Sequence, residues 1–549
     1  MDPATVAIDS TLIVGRIDVV TVDIFEPEEL RRRPGPVRLV QSVMNSLHVS
    51  TREQVIRREL LFAEGEPLNP VLLAETERNL RSLGYLRDVY VTPVDTTGKR
   101  VAVRVQAQET WTLQTSFSFS VASEDSRWNL SAAESNFLGR GLTFGFGVGA
   151  DEDSEYHTVL LRQRRLLGSR WHVEMFLTDR NDGYARRLQV AYPFYDQEQT
   201  WGVELVAEQD QQDLRYYLSH AGPAGDDPGE AQSLYARLPH NIDTIEARFL
   251  HRLGGRGGAR VWRAGLGLML WDLAVDVSAP AYELSDDRLA DLGYLGRTGT
   301  PLDREDGLTV YPHLVLQTES RRWTEVRYLK KFGVVEDIRL GTAMQLWFGP
   351  TGRAVGSTSG AGERWRLGME LADHRRVGRS IFMAALDAEA SFGDAADRTW
   401  RADGLAGWFG QAGDENRPWL THAIVEVARG EDLLGSEVFQ LGLRRGLRTL
   451  SFDGQAGDRL YRWNLEQGKV LPVDLFGFYT VGLAAFYSGG VAWFEGEARG
   501  LDDARHEIGA GLRLGSRRSS GTGRTRVDVT WAMDGSEGPV FTAVTQGFF

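Results

Sequence analysis

Cysteine is absent from the 549 residues, which excludes a disulfide scaffold, a thiolate metal site and a thiol nucleophile. A chain without thiols also crosses an oxidising compartment without mispairing. No run approaches the roughly 18 apolar residues of a membrane helix, so no transmembrane helix is expected. The start, MDPATVAIDSTL, lacks the basic end and apolar core of a secretory signal, as a mature form with an added Met1 would. A net charge of −14 argues against nucleic acid as a partner, because phosphate binding needs a basic face. Catalytic signatures are missing as well. The ten histidines, including His157, His172, His251, His313, His374 and His422, form no H-x-x-x-H or H-E-x-x-H, and none stands beside a G-x-S-x-G elbow. The Gly-rich stretches lack a P-loop Lys-Ser/Thr. Scattered carboxylates such as Glu204, Glu208 and Asp528 read as lumen or loop polarity. The expectation is a protein that is not an enzyme and uses no cofactor and no metal.

What is present is glycine, aromatics and alternation. The chain holds 61 Gly, 15 Trp, 16 Tyr and 24 Phe. From Thr112 onward helical periodicity disappears. Trp171, Val173, Met175 and Leu177 alternate with polar residues, as do Trp201, Val203 and Leu205; Ile508, Ala510, Leu512 and Leu514; and Val527, Val529, Trp531 and Met533. Tyr461, Trp463 and Leu465 share one face against Arg462, Asn464 and Glu466 on the other. An apolar face that begins or ends in Trp or Tyr is what a strand between lipid and a wet interior requires. One such strand also suits a soluble sheet; repetition without an intervening helix favours the membrane barrel. Short turns (Leu138 to Gly141, Leu167 to Ser169, Gly254 to Gly257) separate long polar segments (Gln211 to Asn241, Ser278 to Asp306), the expected periplasmic and extracellular asymmetry.

The first 110 residues differ. Thr11 to Phe25 reads as a strand and EPEELRRRPGPVRLV as a loop insertion. Ser50 and Glu53 form a capping box for a helix carrying Val55, Ile56 and Leu60. Asn69 caps a second helix with Pro70 at its first position, burying Leu72, Leu73, Thr76, Leu80 and Leu83. Two strands, Arg87 to Pro93 and Arg100 to Gln108, close a small α+β unit.

Thr51 to Val94 resembles a POTRA domain, through its helix, its second helix ending in L-R-S-L-G-Y-L and its edge strand. Trp128 to Leu142 (WNLSAAESNFLGRGL), the Gly446 to Leu450 stretch GLRTL followed by Asp458 and WNLE, and His506 to Trp531 together resemble the BamA/TamA-like outer-membrane assembly factors. The resemblance implies a transmembrane antiparallel β-barrel of about sixteen strands, with up to about twenty possible, behind one N-terminal α+β POTRA domain. Alternation marks five strands after the Arg448 loop and about fifteen before it, so the upper figure stays open. Residues 1–11 are expected to be disordered, 12–110 to be the POTRA domain with an insertion at about 26–48, and 111–549 the barrel, with an inward-folded loop at about 444–457.

The resemblance further implies a latch of Arg448, Glu466, Gly446, Leu450, Asp458 and Ser488, in which Arg448 pairs with Glu466. Ser488 stands where the family has an aspartate, so the latch should lack its second carboxylate and hold the loop loosely. The terminal strand (Phe541, Gly547, Phe548, Phe549) would meet the first strand at a lateral gate. The POTRA edge strand (Val89, Tyr90, Val91, Thr92) would take a client by β-augmentation. Outer-membrane lipids, unfolded barrel or secreted clients, and accessory periplasmic proteins or lipoproteins are the expected partners. The expected place is the outer membrane with the POTRA domain in the periplasm. Insertion of clients, export of one dedicated secreted partner through the lumen, and passive conduction are the three functions this leaves. A folded barrel should migrate differently on a gel before and after boiling; a single position in both lanes would contradict the barrel.

Overall fold

A computed structural model describes residues 12–122, 125–150, 154–217, 235–255, 257–275, 281–282, 306–359, 362–393, 398–433, 437–442, 446–450, 454–497, 499–519, 524–535 and 538–545. It divides into a three-stranded sheet with helices and a closed antiparallel barrel.

The N-terminal sheet has β1 (Ile13–Val22), β2 (Leu86–Thr97) and β3 (Arg100–Glu109) in the order β1-β3-β2. Four helices lie between β1 and β2: α1 (Pro27–Arg32), α2 (Gly35–Leu47), α3 (Glu53–Glu59) and α4 (Pro70–Arg81). Val14, Ile56, Leu80, Val89, Val103 and Val105 form the core between sheet and helices. Asn69 caps α4 as expected, its side-chain oxygen accepting from the Val71 amide at 3.0 Å. The Ser50 capping box is not formed. Arg52 occupies the N-cap of α3 without a side-chain bond, because Thr51 is drawn to Glu109, which accepts from its amide and its hydroxyl, each at 2.8 Å. The insertion expected as a loop is instead helical; Pro27 and the Pro34-Gly35-Pro36 run stand at helix starts, where proline is tolerated.

The barrel has twenty strands, the upper figure allowed by the alternation: fifteen precede the Arg448 loop and five follow it. Gly307–Ser320 and Arg322–Arg327 are one strand broken at Arg321, since both pair with Val335–Thr351. The outward face carries exposed Phe117, Phe146, Leu266, Leu314, Leu483 and Ile508, the apolar band that lipid requires. Aromatics ring both rims. Tyr192 stacks on Trp201 and meets Trp171 edge-on near the periplasmic turns, and Tyr487 stacks on His506 beside Trp463 near the opposite end. The Gln211 to Asn241 segment is partly strand, because Trp201–Tyr217 pairs along its whole length with Tyr235–Leu253, from Trp201 opposite His251 to Tyr217 opposite Tyr235. At about 3.3 Å per residue these strands outreach the hydrocarbon layer and stand above it.

The N-terminal domain docks on the periplasmic turns through charge. Arg165, in the turn before Leu167, makes a buried bidentate pair with Glu59 of α3 at 2.8 and 2.7 Å. Arg81 of α4 pairs with Asp337 at 2.8 and 2.7 Å. Gly139 has a positive φ, and a Cβ there would lie 2.4 Å from the Ser50 carbonyl oxygen, so only glycine lets this turn approach.

Glu75 of α4 is buried under the turn that follows Tyr192, and its Oε1 accepts from the Gln197 amide at 3.0 Å. Burial pushes its carboxyl up to about 7, a rise that Arg78 only partly offsets. An acid whose docked pKa is raised favours docking while protonated. The contribution is therefore complete below the ordinary carboxylate range and is lost as pH rises through about 7. The docking transition, followed by thermal melting in detergent, should weaken between pH 5 and 8, and Glu75→Gln should flatten that slope. An unchanged slope in the variant would contradict the assignment.

Candidate functional site

The loop expected to enter the lumen does so. A short hairpin of Phe439–Leu441 with Gln455–Gly457 stands against the inner wall, where the Gln455 side-chain oxygen accepts from the Ala492 amide at 3.0 Å. Leu441 and Leu447 are buried with Ala428, Leu460 and Ala492, and Leu450 packs against them. Gly446 has φ +128, and a Cβ on it would strike the Arg462 side chain, so glycine permits this crossing.

Arg448 does not pair with Glu466. Its guanidinium reaches Glu507 at 3.2 Å and Asp528 at 3.4 Å and lies 4.1 Å over the Phe486 ring. Glu507, fully buried, also accepts from the Arg448 amide at 2.7 Å, the Thr449 amide at 3.1 Å and the Thr449 hydroxyl at 3.2 Å. The latch thus has two carboxylates, correcting the single-partner expectation. Register gives the reason. Glu507 stands directly opposite Ser488 on the next strand, so the acid absent from position 488 is supplied one strand over. Ser488 itself accepts from the Asn464 side chain at 2.7 Å. Asp458 binds the Glu495 amide at 3.0 Å and closes the outer turn.

Glu466 is held elsewhere. Arg513 clamps it at 2.6 and 3.2 Å and also bonds Asp528, while Arg524 lies 4.0 Å from its carboxylate. The result is an alternating chain, Arg448–Asp528–Arg513–Glu466–Arg524, running down the inner wall. Gly511 makes room for it, since a Cβ there would lie 2.0 Å from Asp528 Oδ1. The alternating pattern places Arg513, Asp528 and Glu507 on the inward face, which was the available signal. Alternation does not say which inward groups meet.

A second segment enters from the periplasmic side. The turn after Arg327 folds across the lumen, burying Tyr328, Leu329 and Phe332 against Ile381, Phe409, Leu420 and Val470. Glu336 gathers the turn by accepting from the amides of Leu329 (3.0 Å), Lys330 (3.1 and 3.0 Å) and Lys331 (3.1 Å). A Cβ on Gly482 or Gly515, on the far wall, would meet the Phe332 ring or its Cβ. Arg517 donates to the Tyr328 hydroxyl at 2.7 Å, and Arg524 to the Leu329 carbonyl at 3.1 Å. Arg524 thereby joins the inner end of the ion-pair chain to this inner plug. Tyr, Leu and Phe within a short periplasmic turn were the sequence signal for it.

The POTRA edge strand is less available than expected. Val89 is buried, and its carbonyl accepts from Arg81 at 3.2 Å; the Val91 amide donates to Glu77 at 3.1 Å. Tyr90 and Thr92 are exposed, but register breaks on both sides of this stretch. An edge whose outward groups are taken by side chains resists strand addition. At the barrel seam Phe541 faces outward; Gly547, Phe548 and Phe549 lie outside the described residues.

The POTRA family model, described as a surface antigen variable number repeat, matches residues 44–110. This chain carries a POTRA domain ahead of a closed antiparallel β-barrel. Among solved structures it is similar to BamA from Haemophilus ducreyi lacking POTRA domains 1–3, at 12% identity and TM-score 0.41, over 97% of this chain and 84% of that one. It is similar to CdiB from Escherichia coli at 13% identity and TM-score 0.42, over 98% and 77%. Among curated proteins there is no sequence match. Likenesses this loose add nothing to the POTRA match and the barrel itself.

Removing one partner of a buried ion pair costs about 3–5 kcal/mol. Arg448→Ala should therefore release the loop and raise conductance in planar bilayers. Glu507→Gln should open the POTRA-barrel protein more than Glu466→Gln. The reverse order would restore Glu466 as the latch.

Proposed function

We propose that this protein inserts client strands into the outer membrane through the seam between its first and last barrel strands, Leu113–Ala122 and Val540–Thr545. The observation that carries this reading is the seam itself. Among the described residues it joins only Phe541 to Val121, Thr542 to Ser120, Ala543 to Phe119 and Val544 to Ser118. Elsewhere strands pair over lengths such as Trp201 to Tyr217.

The wall also falls toward the seam. Among the described residues, the four strands that follow the latch loop have 17, 15, 12 and 8 residues, while an outer-membrane strand needs about 9–11. A low wall thins the bilayer beside it and lowers the barrier to a strand entering there. Backbone groups cannot remain unpaired in lipid, so an incoming strand needs a template edge. An opened seam offers two, at the loss of a few hydrogen bonds of about 0.5–1.5 kcal/mol each. With the lumen filled from both ends, the sideways path asks for less rearrangement than the axial one. Clients would arrive from the POTRA side, although not by pairing at Val89–Val91, which Arg81 and Glu77 occupy.

A chain without cysteine makes the test direct. Ser120→Cys and Thr542→Cys face each other across the seam, within the Cα separation that a disulfide spans. Oxidation of the double variant in liposomes should abolish insertion of an eight-stranded outer-membrane barrel added from urea, and reductant should restore it. Full insertion by the locked barrel would overturn the lateral path. Export of a secreted protein by the same locked barrel would establish the lumen route instead.

A further inference from the structure

The insertion between β1 and α3 carries a feature that neither the POTRA core nor the seam uses. On α2, Leu39, Val40, Val43 and Leu47 are 66%, 42%, 47% and 68% exposed. At 100° per residue they fall in one sector, on a helix whose other face is docked. That docked face has buried Gln41, which donates to the Phe476 carbonyl at 3.0 Å. Met44 joins the apolar cluster of Ile24, Phe25 and Phe478.

The docking fixes the height of the helix. Phe476 lies in the turn between the barrel strands Arg459–Leu475 and Tyr479–Trp493, and its side chain is exposed with those of Val473, Leu475 and Tyr479. These four continue the outward apolar band of the barrel to its periplasmic rim. A helix in direct contact with that rim lies at the level of the lipid headgroups, which extend only about 5–8 Å beyond the hydrocarbon. Arg33 secures the attachment, pairing with Glu29 at 3.1 Å and reaching Asp474 at 3.9 Å. Arg31 and Arg32, at the end of α1, and Arg38, early in α2, remain exposed, where cations meet phosphates.

We infer that α2 is an interfacial anchor, whose Leu39–Leu47 stripe lies in the periplasmic leaflet of the outer membrane while Arg31, Arg32 and Arg38 face anionic headgroups. The reasons are the continuity of the stripe with the barrel's lipid-facing band, the height set by the Gln41–Phe476 contact, and the flanking positive charge. Amphipathic helices with an apolar face and a basic margin lie in the interface plane in this way.

Single cysteines at Val43, at Arg38 and at lipid-facing Leu483, each spin-labelled, test the inference in the full chain reconstituted into phosphatidylethanolamine–phosphatidylglycerol liposomes. The Val43→Cys label should collide with oxygen several-fold more than with a water-soluble nickel complex, as at Leu483. The Arg38→Cys label should show the opposite preference. A Val43→Cys label reached mainly by nickel would overturn the anchor. Shielding from both reagents would overturn it too, because a second copy of the chain would then cover the stripe. The triple variant Leu39→Glu, Val43→Glu, Leu47→Glu should still fold as a heat-modifiable barrel while Arg38→Cys in its background loses contact with the headgroups. Unchanged collision rates at Arg38→Cys would also count against the anchor.

Discussion

Lipid cannot hydrogen-bond a peptide group, and the rest of this molecule follows from that constraint. Every barrel strand must be paired on both sides, so the sheet closes on itself. Closure of twenty strands encloses a lumen wide enough to need filling. The protein fills it with its own chain, from outside with the Arg448 loop and from inside with the Tyr328–Phe332 turn. The same constraint makes the seam consequential, because that is where the pairing described is shortest.

The two plugs are held by different physics that meet at one residue. The outer loop is fixed by charge: Arg448, shielded between Glu507, Asp528 and the Phe486 ring. The inner turn is fixed by apolar burial and by three consecutive amides on Glu336. Arg524 touches both, through Glu466 and the Leu329 carbonyl. Moving either plug removes a partner from a shielded ion-pair chain. Because those charges interact in a low-dielectric interior, that movement is coupled rather than local.

Much of this was legible in the sequence. Period-two alternation from Thr112 identified the barrel and its lipid face, and the count of fifteen and five strands agreed with the topology. The POTRA helices and strands are readable from Asn69-Pro70, the two strands after it and the apolar stripe of α4. Three things were not. A motif that places a loop near a strand points Arg448 at Glu466, whereas the choice among inward carboxylates depends on register across strands distant in the chain. Local sequence offers Ser50 as a cap, yet Glu109, far along the chain, takes Thr51. The insertion read as a loop because charge and proline mask a helix whose apolar stripe faces outward.

The central claim is that lipid outside and plugs inside leave the seam as the weakest line in the wall. Amide hydrogen exchange in lipid nanodiscs measures this directly. The amides of Ser118–Val121 and Phe541–Val544 should exchange orders of magnitude faster than those of the long pairing between Trp201–Tyr217 and Tyr235–Leu253. Equal protection at both places would contradict the account.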